Sequence, residues 1–285
     1  VHTLESWSAA FKYLLTPLAV PYLLPYVQLL PFSKQTKNTF SSDFTNEGRN
    51  GIQNMGTTCY VNSILQIFNG LKLFSSKLIS LKDENIPPFV NQLRILLAKL
   101  RFVRKKILTI DDFVQTIPKF NPLIQEDVEE FYGYILSRLN SELKDYPDSI
   151  TDHLHGRISV KIYDGENVVS SSFEDFYYLS IPTLDFSQLK DAFPEYFKEE
   201  IIDYTIDTPT RRQISAIRKL EISEWPDYLV IQLQRLDFQA MERKKLVNEF
   251  SFPIQLKTDD LPSEQNDKID YTLTGVIVHQ GSPDQ

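Results

Sequence analysis

The 285 residues predict an α+β fold, helices first and strands after, and three observations carry that prediction. Apolar residues recur at spacings of three and four from Cys59 to Leu143, and after Gly156 the period changes to two. The chain carries no internal repeat, no G-x-G-x-x-G and no phosphate loop. Hydrophobic residues at 42% and charged residues at 24% suit a globular chain with a sizeable core and exclude wholesale disorder.

Residues 1–48 differ from the rest. Tyr13 to Phe32, YLLTPLAVPYLLPYVQLLPF, is a run without a charge and as long as a membrane span. Pro17, Pro21, Pro25 and Pro31 interrupt it, and each removes a helical donor and clashes with the preceding turn. An extended or kinked segment packed on the domain is the preferred reading. A membrane anchor through residues 13–32 and a partner-binding segment stand beside it. The run is too long for a signal peptide, and no basic start precedes it. Ser33 to Asn50, rich in Ser, Thr, Asn and Lys, reads as a linker.

Beyond Gly51 each element has its own signal. Cys59 to Asn69 places Val61, Ile64, Leu65 and Phe68 on one helical face, and Phe89 to Val103 does the same with Phe89, Leu93, Leu96, Leu97 and Leu100. Thr109 and Asp112 resemble a capping box opening a short helix that Pro118 ends. Asp127 to Leu143 aligns Val128, Phe131, Ile135, Leu139 and Leu143. Strands follow at Arg157 to Tyr163, Val168 to Phe173 and Phe176 to Ile181, then a helix from Ser187 to Phe197. Tyr228 to Arg235 reads as a buried strand, and Tyr271 to His279 as the last one.

Lys plus Arg is 30 and Asp plus Glu is 38, a formal charge of −8, which argues against a nucleic-acid binder and suits a cationic partner. The single cysteine excludes an internal disulfide framework, a Cys-X-X-Cys redox centre and a thiolate zinc site within these residues. A reducing compartment is the natural setting. The thiol is then either a small buried hydrophobe or a nucleophile. Its surroundings, GIQNMGTTCYVNSILQ, put Cys59 at a helix N-terminus behind a tight turn, where amide donors and the helix dipole favour the thiolate. Asn54 lies on the loop where its amide reaches back toward a developing oxyanion. A buried cysteine opening a core helix accounts for the local pattern equally well.

That string resembles the cysteine box of the ubiquitin-specific protease family, close to GLxNLGNTCYMNSxLQ, agreeing at Asn54, Gly56, Thr58, Cys59, Asn62, Ser63 and Gln66. Thr57 stands where the family has Asn. QEDVEEF, from Gln125 to Phe131, is similar to the family's QQDAxEF. SSSFEDFYYLSIP, WPDYLVIQLQRLDF, FSFPIQL and YTLTGVIVHQGSPDQ resemble later family strands, so the likeness runs from Gly51 to the end.

The resemblance implies a papain-like fold of thumb (about 51–150), fingers (about 156–220) and palm (about 225–285), with a catalytic domain over 49–285. It implies a deubiquitinase that hydrolyses the isopeptide bond between ubiquitin's C-terminal glycine and a lysine amine, acting on ubiquitin and ubiquitinated proteins in cytoplasm or nucleus. Cys59 is the implied nucleophile, Asn54 the oxyanion donor, and Gln125, Asp127, Glu130 and Phe131 the residues facing ubiquitin's arginine-bearing tail. Asp127 and Glu130, three apart on one helical face, suit that cationic peptide; a solvated, dipole-favoured helix end is the plainer account of the same acids. No cofactor is implied. The zinc knuckles of many family members have no cysteine here, since Ile201 to Ile214 reads IIDYTIDTPTRRQI, and strand pairing must hold the fingers. Gln234 and Leu236 replace the Lys and Phe of the family's LKRF segment.

The expected base, a histidine in a GHY motif, falls past Gln285, and truncation is the expected reason. His279 occupies a different family position, and His2, His153 and His155 carry no signal for the role. A catalytically silent ubiquitin-binding scaffold and a protease for another ubiquitin-like modifier are the alternative functions.

Overall fold

The computed structural model describes residues 22–23, 27–35, 50–82, 85–103, 107–118, 120–121, 123–146, 149–206, 211–237, 244–246, 248–259, 261–264 and 268–279. Residues 1–21 and 24–26, which hold 12 of the 20 residues of the uncharged run, therefore lie outside the described residues, as do 36–49 of the expected linker.

The chain enters through β1 (Tyr22–Leu23), β2 (Val27–Lys34) and β3 (Gly51–Ile52) before its helices begin. Five helices then form one body: α1 (Cys59–Gly70), α2 (Lys72–Ile79), α3 (Pro88–Phe102), α4 (Asp111–Val114) and α5 (Val128–Glu142), with β4 (Ile107–Leu108) pairing parallel to β3. Every apolar position expected on α1, α3 and α5 is buried, and together they build one core in which Phe68 packs against Phe74 and Tyr132. α2 carried no expectation. Its eight residues bury only Phe74, Ser75 and Leu78, too few for the spacing to stand out.

Thr109 does not cap α4: Ile110 occupies that position, and the helix ends at Val114, before Pro118. Two exposed aspartates, Asp111 and Asp112, lie in its first turn, where the helix dipole favours negative charge. α5 is capped by Asp127, whose Oδ1 accepts from Glu129 N at 2.7 Å.

A four-stranded antiparallel sheet follows, made of β5 (Gly156–Asp164), β6 (Asn167–Phe176), β8 (Glu200–Ile206) and β9 (Arg212–Glu224) in the order β6-β5-β9-β8. Its described residues are held by strand pairing and by cross-strand ion pairs: Lys161 with Glu221 and Glu264, and Arg157 with Asp175 and Glu224. The expected strand from Phe176 to Ile181 is two: β6 ends at Phe176, Tyr177 and Tyr178 make a joint, and β7 (Leu179–Pro182) belongs to another sheet. α6 (Leu189–Tyr196) interrupts the strands as expected.

That other sheet also takes β10 (Tyr228–Gln234), β14 (Gln255–Lys257), β15 (Asp270–Leu273) and β16 (Ile277–Val278); the short pairs β11 (Leu236–Asp237) with β12 (Lys244–Lys245), and β1 with β13 (Ser251–Phe252), flank it. Its centre is β2. Leu30 and Phe32 point into the core shared with α6 and the strands, while Leu29 points into the helical core. β10 divides likewise, Tyr228 and Val230 to the helices and Leu229 and Ile231 away from them. Over Leu29–Phe32 the uncharged composition thus reflects burial on both faces of a strand. Ser33 and Lys34 continue β2, and Asn50 is buried. No helix among the described residues is long and apolar enough to cross a membrane.

Pro31 also decides the end of the chain. Its carbonyl accepts from Thr274 N at 2.9 Å, so its nitrogen faces the same neighbour and has no hydrogen to give. The strand expected from Tyr271 to His279 accordingly breaks into β15 and β16 around Thr274–Val276. Gly275 lies in the break, where a Cβ would stand 2.5 Å from Ile67 Cδ1 of α1.

Candidate active site

Cys59 is the first residue of α1, and it is exposed. The turn in front of it is built from polar groups. Asn54 Oδ1 accepts from Thr58 N at 3.1 Å and from Thr58 Oγ1 at 3.0 Å, and Thr58 Oγ1 accepts from Met55 N at 3.0 Å. Gly56 sits at φ 129°, a conformation open to glycine and strained for other residues. Because both neighbours of Asn54 Oδ1 are donors, the amide has one sensible orientation, and its Nδ2 is the group left to donate outward.

The other matched positions of the cysteine box hold this turn from behind. Asn62 Nδ2 donates to Gln53 O at 3.3 Å and Gln66 Nε2 to Asn50 O at 2.9 Å. The buried Asn50 gives its own amide to Lys99 O, Leu100 O and Val103 O at 3.2, 3.1 and 2.5 Å, capping the end of α3, where Lys99 O also accepts from Val103 N. Gln53 N donates to Leu108 O at 2.8 Å, extending the β3–β4 pairing. Asn62 and Gln66 are thus positioning groups for the loop.

Across from α1 lies the turn that opens α5. Tyr60, next to the cysteine, is buried; burial first, then the Glu126 charge, push the phenol up to about 12. Gln125 Nε2 stands 3.5 Å from His279 Nε2, so the loop before α5 meets the end of β16. Asp127 and Glu130 are exposed, and Glu130 makes no hydrogen bond or ion pair among the described residues. Glu129, half-buried, is raised above the usual carboxylate range by burial and by Asp127 and Glu130, against a lowering hydrogen bond from Tyr178.

Phe131 is 3% exposed, with its ring edge-to-face on Tyr60 at 5.1 Å, beneath the turn that opens α5. The expected residues Cys59, Asn54, Gln125, Asp127 and Glu130 lie on two adjoining turns. Glu126, Glu129 and Tyr178 carried no expectation. Glu126 and Glu129 sit in the QEDVEEF string, but only the tertiary fold shows what faces them.

His153 Nδ1 is 2.7 Å from Asp227 Oδ2, and His155 Nε2 is 2.9 Å from Asp175 Oδ1. Among the described residues no histidine hydrogen-bonds to Cys59, and no group of three or more His, Cys, Asp or Glu is placed to hold a metal. The arrangement offers an exposed thiol over amide donors, with unneutralised carboxylates beside it. It suits nucleophilic attack on a carbonyl at the end of a cationic extended chain.

A family model described as Ubiquitin carboxyl-terminal hydrolase matches residues 50–285. Among curated proteins, Ubiquitin carboxyl-terminal hydrolase 26 of Oryza sativa subsp. japonica is 28% identical over 249 residues, covering 81% of this chain and 23% of the relative. Ubiquitin carboxyl-terminal hydrolase 40 of Homo sapiens is 29% identical over 268 residues, covering 84% and 21%. The chain thus spans about a fifth to a quarter of these relatives' length. Among solved structures, the SAGA Ubp8/Sgf11/Sus1/Sgf73 DUB module bound to ubiquitin aldehyde shares the fold with TM-score 0.63 at 21% identity, covering 82% of this chain and 61% of that one. The same module bound to monoubiquitin gives TM-score 0.68 at 19% identity, covering 98% and 64%.

Proposed function

The chain belongs to the ubiquitin carboxyl-terminal hydrolase family, and from that membership we propose that it carries out thiol-dependent removal of ubiquitin from lysine side chains. The observation that carries the reading is the exposed Cys59 at the start of α1, behind a turn that leaves Asn54 Nδ2 free to donate. The Cys59 thiolate attacks the carbonyl of ubiquitin's C-terminal glycine. Asn54 Nδ2 and backbone amides of the first turn receive the developing oxyanion. Collapse expels the lysine amine, which takes a proton from the general acid, and leaves a thioester that water hydrolyses to the carboxylic acid and the free thiol. The acid–base group is a histidine outside the described residues. Asp127 and Glu130 face the arginines of ubiquitin's tail, and Gln125 faces its backbone. Cytoplasm or nucleus, where a free thiol persists and conjugated ubiquitin occurs, is the location that goes with this chemistry.

The test is exposure of the complete protein to ubiquitin bearing a C-terminal electrophile, read by intact mass and peptide mapping. One ubiquitin attached at Cys59, and none in Cys59→Ala with ubiquitin affinity kept, is the expected result. Continued turnover by Cys59→Ala refutes the assignment. Reversible binding without labelling favours the second reading, a ubiquitin-binding protein without chemistry.

A further inference from the structure

The four-stranded sheet and the helices that carry Cys59 share no apolar core. Ile158, Val160, Phe176, Leu220 and Ile222 of the sheet pack with α6 and the strands around β2, and none of them belongs to the core built by α1, α3 and α5. Among the described residues, the hydrogen bonds that join the two bodies converge near the far end of α5. Asn140 Nδ2 donates to the Tyr177 hydroxyl at 2.7 Å, and Asn140 Oδ1 accepts from Thr151 Oγ1. Thr151 is buried and opens the 3-10 turn Thr151–Leu154 that leads into β5, while Tyr177 directly follows β6. β5 and β6 pair as one hairpin, so a single amide holds both of its roots. Further back along α5, Tyr132 Oη donates to the Tyr177 carbonyl at 3.1 Å. The roots are also closed on each other: Gly156 stands opposite Phe176, and a Cβ there would lie 2.3 Å from Phe176 Cζ. The hairpin therefore leaves its root as one unit.

The other end of the sheet makes its aim matter. Val168, Tyr163, Ile217 and Ile201 stand opposite one another in register across all four strands, and so on one face. Val168 is 52% exposed and Ile201 81%, an uncovered apolar row of the kind that marks contact with another protein. Tyr163 lies about 23 Å from the root at Gly156, at about 3.3 Å per residue, so a tilt of about 10° there moves the row by about 4 Å. On α5, Asp127 and Asn140 are separated by about 20 Å at about 1.5 Å per residue. The helix is a strut, with the exposed carboxylates of Asp127 and Glu130 at one end and the hold on the hairpin at the other.

We propose that Asn140 is a positioning residue: by bridging Thr151 and Tyr177 it sets the aim of the four-stranded sheet relative to the first turn of α5, so that a substrate with a folded body and a cationic tail meets both. The inference rests on the deubiquitinase reading, in which ubiquitin is such a substrate. Asn140 itself does not meet the substrate, so its effect is confined to substrates that carry the body.

The experiment uses the complete protein and two substrates with the same C-terminal fluorogenic amide: whole ubiquitin, and a peptide of its tail alone. Asn140→Ala removes both bonds of the bridge. Tyr177→Phe removes only the hydroxyl and keeps the ring beside His155, so it answers the question even where the alanine variant does not fold. For whole ubiquitin, KM should rise about fivefold in Asn140→Ala and about threefold in Tyr177→Phe, the scale of one hydrogen bond, with kcat within about twofold. For the tail peptide, kcat/KM should stay within about twofold. The double variant should match Asn140→Ala, because both changes break one bridge. An equal loss on the two substrates overturns the inference, since it places the effect in the tail site or in general stability. An unchanged KM for whole ubiquitin in both variants overturns it too. Absence of turnover in the unaltered protein overturns the proposed function itself, so the two failures are told apart by the first measurement.

Discussion

Asn54 does two jobs through two different atoms, and substitution separates them. Its Oδ1 takes two hydrogen bonds, from Thr58 N and Thr58 Oγ1, in a partly buried turn. Its Nδ2 is the donor proposed for the oxyanion. Asn54→Ala removes both atoms. Each lost bond is worth about 0.5–1.5 kcal/mol net, so the turn should weaken by about 2 kcal/mol. In a domain of this size that lowers Tm by about 4–8 °C. The missing donor should cost a further factor of about 100–1000 in kcat. Asn54→Asp keeps an acceptor toward Thr58 but has no amide hydrogen, and it places a negative charge beside the thiol. It should hold Tm within about 2 °C and still lose at least as much kcat as the alanine variant. Scanning calorimetry and turnover of a ubiquitin C-terminal amide read the two effects separately. Full turnover by Asn54→Asp would refute the donor role, and an unchanged Tm in Asn54→Ala would refute the capping role.

Three further outcomes are expected. Cys59→Ala should abolish turnover while binding ubiquitin as before, checked by calorimetric titration against the hydrolysis assay. The hydrogen bond from His153, then burial opposing it, leaves Asp227 below its usual 3.8, so the pair adds stability above that value and loses it as pH falls through the lower folded-state pKa. Denaturant midpoints between pH 6 and 3 should therefore fall less steeply in His153→Ala than in the unaltered protein, and parallel curves would rule the linkage out. Phe68→Ala, at a residue with no exposed surface packed on Phe74 and Tyr132, should destabilise the helical core by about 3–5 kcal/mol in denaturant melts; a loss under about 1 kcal/mol would mean the core collapses around the gap.

Much of the molecule is legible along the chain because its signals are local. The stripes of α1, α3 and α5 declare themselves at spacings of three and four, since a helix face is made by residues within a turn of one another. The cysteine box places Cys59 and Asn54 on the same short turn, so their proximity is also local. The strands expected from period two are found, apart from two boundaries, whereas β8 and β9 carried no such expectation. The break at Tyr177–Tyr178 reflects a change of sheet, and the break before β16 comes from Pro31, far away in the chain.

What only the tertiary structure decided are relations between distant segments. The apolar run that ends in Val27–Phe32 has the composition of a span, a packed strand or a docking segment alike, because all three remove apolar side chains from water. Pairing of β2 with β10, β15 and β16 settles that part of it, and hydrogen-bond register is not written in hydrophobicity. The site divides the same way. Residue types and local spacing determined a thiol at a helix start and a string of acids; the fold decided that Phe131 faces inward onto Tyr60 and that Asn140 bridges Thr151 and Tyr177. Those contacts join residues whose separation in sequence leaves no periodic trace, and packing alone brings them together.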